Sequence, residues 1–185
     1  MDYKIITDRF EIEKMAEDMF LSDDKQITPI DYADLRILKR YGTFKYAIIC
    51  DTETSNRAWV DEFIKIVESQ LPLDGLRAVL MNIIVGDEGM SLFHEDLYDI
   101  LEFLISMKRT DNETEDSKSK NCIDCLWSIS NRQLFPQGMM QIQLMSIYEN
   151  TEQDKQENEK YEQMIEAYKK SSFPVLNILT PNDSR

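Results

Sequence analysis

Two hydrophobic periodicities alternate along this chain. Trp59, Phe63, Ile66 and Val67 fall at i, i+4, i+7 and i+8, which places them on one face of a helix over about 55–70. Pro72 closes that segment, and Thr54 or Ser55 is placed to cap its start. Leu97, Ile100, Leu101 and Leu104 repeat the pattern for a helix over about 91–107, with Ser91 as its cap. Between the two, Leu76 to Val85 is almost continuously apolar yet too short to cross a membrane, the signature of a central strand. Phe44 to Cys50, rich in aromatic and β-branched residues, predicts a strand before the turn-forming run 51–55. A period of two returns at Ile123, Cys125, Trp127 and Ile129, and again at Met140, Ile142 and Leu144 with Gln141 and Gln143 between them. Pro136 and Gly138 supply the turn that joins these two strands.

Strands at about 44–50, 76–85, 122–130 and 139–148, interleaved with helices and closed by a hairpin, predict an α+β domain. Its sheet is expected to be mixed and four-stranded, with helices packed on it. The first 25 residues carry Phe10, Met15, Met19 and Phe20 at helical spacing and form a helical lead-in; the α+β domain then spans 26–149. Residues 109–121 lack any apolar side chain, so burial cannot offset the entropy of ordering them, and a mobile loop is expected. From residue 150 to 185 a charged helix, with Tyr161, Met164, Ile165 and Tyr168 at helical spacing, leads into an apolar tail. The segment Phe173 to Leu179 is either an edge strand on this domain or a partner-binding peptide.

The formal charge of −14 over 185 residues, without clustered Lys and Arg, disfavours nucleic acid. No apolar run approaches the roughly 20 residues of a membrane span, and the start lacks a signal-peptide pattern, so a cytoplasmic protein is expected. The odd count of 3 cysteines fits a reducing compartment. Cys122 and Cys125 form a Cys-x-x-Cys, but the other soft ligands are Cys50 and His94 alone, half a zinc site at best, and no metal or cofactor is expected. A lone His94 beside Glu95 reads as a surface residue near a helix start rather than a general base.

Residues 28–36 read Thr-Pro-Ile-Asp-Tyr-Ala-Asp-Leu-Arg. Asp31 stands where an N-cap belongs and Asp34 at the third helical position, both favourable at the positive end of a helix dipole. Leu35, Leu38 and Tyr41 are expected to face the core, and Gly42 to end the helix in the left-handed conformation. The stretch resembles the loop with which FtsZ, the bacterial tubulin homologue, reaches into the nucleotide site of the next subunit, Asn-Leu-Asp-Phe-Ala-Asp-Val-Arg. Asp31, Ala33, Asp34 and Arg36 match, Tyr32, Ile30 and Leu35 are conservative, and Pro29 stands where that family has Asn. Residues 73–86, Leu-Asp-Gly-Leu-Arg-Ala-Val-Leu-Met-Asn-Ile-Ile-Val-Gly, are similar to the family's Leu-Ser-Gly-Ala-Arg-Gly-Val-Leu-Val-Asn-Ile-Thr-Gly-Gly strand.

The resemblance covers about 26–149 and implies the FtsZ/tubulin C-terminal domain. The family's GTP site needs a glycine-rich cradle, whereas the 5 glycines here (42, 75, 86, 89 and 138) are all read as turn or loop residues. The expectation is a free-standing C-terminal half without its own nucleotide site, hence not an enzyme. In the family the two carboxylates polarise water for attack on the neighbour's γ-phosphate. Here the resemblance implies a partner interface of Asp31, Tyr32, Asp34 and Arg36, against which plain helix capping by the two aspartates stays open. The expected function is a cytoplasmic interaction protein that binds or modulates a tubulin/FtsZ-like filament in cell division or the cytoskeleton. The alternative is a self-associating scaffold, held by sheet edges or by Phe173 to Leu179.

Overall fold

The structure, a computed structural model, describes residues 1–21, 25–26, 32–86, 94–107, 123–132, 135–156, 159–160 and 163. Its elements run β1 (Asp2–Ile6), α1 (Arg9–Leu21), β2 (Lys25–Gln26), α2 (Tyr32–Leu38), β3 (Thr43–Glu53), α3 (Trp59–Gln70), β4 (Leu76–Val85), α4 (His94–Ser106), β5 (Asp124–Asn131) and β6 (Met139–Tyr148). Met1–Glu149 form one compact unit and Asn150–Arg185 a second. In the second, residues 152–156 are helical. Its start is capped reciprocally: the Thr151 amide donates to Asp154 Oδ2 at 2.7 Å, and the Asp154 amide to Thr151 Oγ1 at 3.2 Å. The loop 109–121 and the tail segment 173–179 lie outside the described residues.

The first unit is α+β, and its sheet is mixed. All four expected strands form, in the order β3, β6, β4, β5, with β4 parallel to β5 and antiparallel to β6. The expected count of four is corrected to six among the described residues, because β1 adds to the outer side of β3 and β2 to that of β5, both antiparallel. In β1, Tyr3 and Ile5 alternate with Asp2 and Lys4, but five residues offer too little periodicity to stand out beside the helix that follows. In that helix Ile12, Ala16 and Met19 are buried, whereas Phe10 is 62% exposed.

β4 lies at the centre, buried along its whole length except at Arg77, whose guanidinium pairs with Glu149. Against one sheet face pack α3 and α4, through Trp59, Phe63, Val67, Leu97, Ile100 and Leu104. Against the other pack α1 and α2, through Ile12, Ala16, Met19, Leu35 and Leu38, over Ala47, Leu80, Met145 and Ile147. The alternation in β5 and β6 resolves as the period-two reading expected. Ile123, Ile129, Met140, Ile142 and Leu144 all face α3 and α4.

Two local expectations are corrected. The helix expected from residue 55 begins at Trp59, with Ala58 at its N-cap and no side-chain cap bond. Thr54 and Asn56 are engaged elsewhere: the Thr54 amide and hydroxyl donate to the Gly138 carbonyl at 2.8 and 3.2 Å, and Asn56 Oδ1 accepts from the Ala58 amide at 3.0 Å. Gly42 is not left-handed; among the described residues positive φ belongs to Gly75 and Gly138. A Cβ at Gly42 would lie 1.7 Å from the Tyr148 carbonyl oxygen, so the residue is small because two backbones touch there.

Candidate functional site

Leu35 and Leu38, one turn apart, anchor α2 in the core and so fix which of its residues stay outside. Ala33 and Arg36 are exposed, Asp34 is half-buried, and Ile37 is 48% exposed. The helix tightens at its end: the amides of Arg40 and Tyr41 donate to the carbonyls of Ile37 and Leu38 at 3.0 and 2.9 Å. Lys39 Nζ reaches Glu17 Oε1 at 3.2 Å, which ties this end to α1.

Asp34 is the third residue of α2 and the acidic residue of its first turn. Asp31 lies outside the described residues, and Tyr32 is described in its backbone alone, as the helix's first residue. Tyr41, expected in the core, is 42% exposed. Its phenol is hydrogen-bonded to Asp124 at the start of β5, and that bond, with the carboxylate's charge, raises its pKa above the ordinary tyrosine value. The helix ends at Leu38 and Tyr41 lies in the turn after it, so the third member of the expected apolar stripe ends on a polar partner.

These residues enclose a cleft of about 200 Å³, lined by Asp34, Ile37, Leu38, Tyr41, Asp124, Cys125 and Leu126. Arg36 is not part of its lining. The cleft combines two carboxylates with the exposed side chains of Ile37 and Tyr41, an arrangement suited to a donor or cationic group flanked by apolar surface. The sequence pattern did not single out Ile37, Asp124 or Leu126, and it placed Tyr41 in the core rather than at a cleft. The available signal was the spacing of Ile37 and Tyr41 at i, i+4, beside the stripe of Leu35 and Leu38. The cleft has no activated nucleophile, since burial pushes the Cys125 thiol up to about 12.

A polar stripe on the sheet supplies the other unexpected feature. On the face toward α1 and α2, Gln143, Asn82 and Ser128 stand side by side in register, and the next row holds Asp51, Gln141, Ile84 and Ser130. Asn82, Ser128 and Ser130 are fully buried. Ser130 Oγ donates to Asn82 Oδ1 at 3.0 Å, Gln143 Nε2 to Gln141 Oε1 at 2.7 Å, and Gln141 Nε2 to Asp51 Oδ1 at 2.9 Å.

Cys50 is buried in β3, and both it and Cys125 carry free thiols; Cys122 lies outside the described residues. Among the described residues no group of three or more His, Cys, Asp and Glu is placed to hold a metal ion, and no helix is long and apolar enough to cross a membrane.

No protein-family model matches this chain, and no curated protein does. Among solved structures it is similar to an empty FtsZ dimer from M. jannaschii, at 13% sequence identity and a TM-score of 0.43. The match covers 66% of this chain and 32% of that one, so this chain spans about a third of the length of the solved chain it resembles.

Proposed function

We propose that this chain is a non-enzymatic interaction protein of the FtsZ/tubulin C-terminal type, which binds or modulates a filament subunit through α2 and the segment leading into it. The observation that carries the reading is the motif Asp31-Tyr32-Ala33-Asp34-Leu35-Arg36 at the opening of a helix held to the sheet by Leu35 and Leu38. That anchoring turns Asp34 toward the cleft with Tyr41 and Asp124 and leaves Arg36 in solvent. Buried leucines one turn apart hold the helix, so its outward residues can be exchanged without loss of packing.

Pro29 in place of the family's Asn leads to binding without stimulation of GTP turnover, because a rigid ring replaces an amide able to donate and accept. The four glycines among the described residues, 42, 75, 86 and 138, lie at turns and loops, and the reading assigns no GTP site to this chain. A cytoplasmic setting follows from the same reading. Two measurements test it: calorimetric titration with GTP and magnesium, and co-sedimentation with a GTP-assembled FtsZ-family protein from the same organism. The expected results are no heat of binding and recovery of the chain with the filaments. Micromolar GTP binding, or a chain left in the supernatant at every filament concentration, overturns the proposal.

A further inference from the structure

β1 is the outermost strand of the sheet, and among the described residues its far side has no partner strand. Edge strands usually carry a feature that blocks further pairing, such as proline, a bulge or an inward charge. Asp2–Ile6 has neither proline nor a register shift against β3, and its two charges, Asp2 and Lys4, are of opposite sign and so do not repel a matching strand in every register. Its exposed residues instead alternate by face. Tyr3, 49% exposed, lies opposite Cys50 on the side of α3 and α4, while Asp2 and Lys4 lie opposite Asp51 and Ile49 on the other side.

We propose that β1 pairs antiparallel with β1 of a second copy of this chain, about a two-fold axis normal to the sheet, with Tyr3 opposite Tyr3. Such an axis keeps each residue on its own face, so residues may be opposed only if they are an even number apart in sequence. Registers centred on Asp2, Tyr3 or Lys4 oppose the strand's charges and set the choice, whereas centring on Ile5 leaves Lys4 opposite Ile6 without a charged partner. Opposing Lys4 to itself or Asp2 to itself puts like charges side by side, which is unfavourable. Opposing Tyr3 to itself puts Asp2 of each copy opposite Lys4 of the other, twice over by symmetry, and stacks the two exposed tyrosines on the other face. The charge sequence of the strand is therefore complementary to its own reverse in one register. Lys4 holds Glu11 at 3.4 Å in a pair exposed on both sides, so its ammonium remains free to turn toward the edge. The paired strands would make one sheet continuous across both copies, a mode of association separate from the cleft beside α2.

Sedimentation equilibrium of the full chain and of two variants tests this. The expected result is a concentration-dependent approach to twice the monomer mass for the natural sequence. Lys4→Asp, which opposes carboxylate to carboxylate, is expected to weaken self-association at least tenfold, and the swap D2K/K4D to restore it. Because the swap keeps neither original side chain, restoration separates pairing from any effect on folding. An independent readout is Tyr3→Cys, whose thiol should link to its own counterpart across the two copies on mild oxidation, as the short distance between opposed strand residues allows. A chain that stays monomeric at its highest soluble concentration overturns the proposal. So does a dimer indifferent to Lys4→Asp, or one lost only on removal of residues 173–185.

Discussion

Toward α3 and α4, the rows Cys50, Ile142, Ile83, Ile129 and Ile48, Leu144, Met81, Trp127 are apolar from strand to strand. Toward α1 and α2, one row, Ala47, Met145, Leu80 and Leu126, is apolar, and the next two carry Gln143, Asn82, Ser128 and then Asp51, Gln141, Ser130. The same four strands thus present a face built by burial alone and a face built partly by hydrogen bonds. The difference separates stability from specificity. Hydrophobic rows tolerate exchange of one aliphatic for another, whereas a buried amide must find its partner or be penalised. The motif helix α2 and its cleft belong to the second face.

The largest effect should come from the apolar face. Phe63 is fully buried between α3 and the sheet, and Phe63→Ala is expected to lower unfolding free energy by about 3–5 kcal/mol in urea denaturation. A cost below about 1 kcal/mol would show that the face is loosely packed and the contrast misplaced. On the polar face, Asn82→Ala deprives the Ser130 hydroxyl of its acceptor and should cost about 1–3 kcal/mol. The double change Asn82→Ala with Ser130→Ala should cost less than the sum of the two single changes. Strict additivity in that cycle would mean the two side chains are not coupled, and the stripe would lose its rationale.

The thiols sharpen the comparison kinetically. Burial pushes Cys50 and Cys125 up to about 12, and both pack with the apolar cluster. Peptide mapping after alkylation at pH 8 should find both largely unmodified in the folded chain and rapidly modified in denaturant. Fast native labelling of Cys50 would place a fluctuation through β3.

A smaller effect concerns Tyr41. Its folded pKa is raised by Asp124, so the bond's contribution to stability is present below the ordinary tyrosine value of about 10 and is lost as pH rises through the higher folded value. Asp124→Asn should move the phenolate transition, followed by absorbance, toward lower pH. An unmoved transition would detach Tyr41 from β5 and open the cleft.

How far the fold was legible follows from element length. β4, β6, α3 and α4 each run ten residues or more and repeat their period several times, and all four were readable. β1 and β2, with five and two residues, are strands by virtue of the edge they join, a tertiary fact that local pattern does not carry. Helix starts were displaced where several capping residues compete, as at Thr54, Ser55 and Asn56. In the candidate site, the place of Asp34 within α2 was legible from capping chemistry, while the cleft was not. Tyr41 has the composition of a core residue, and only the position of Asp124, 83 residues later in sequence, makes it a rim residue.

The central claim is that Asp31 and Asp34 serve a partner rather than the helix. Changing both to Asn keeps the oxygens able to cap while removing both charges. The decisive measurement is thermal melting of that double variant beside its co-sedimentation with GTP-assembled filaments. The account predicts a melting temperature within about 2 °C of the natural chain, as expected for substitutions that keep the cap, together with at least a tenfold loss of filament binding. Undiminished co-sedimentation would contradict it and leave the two aspartates as helix caps alone.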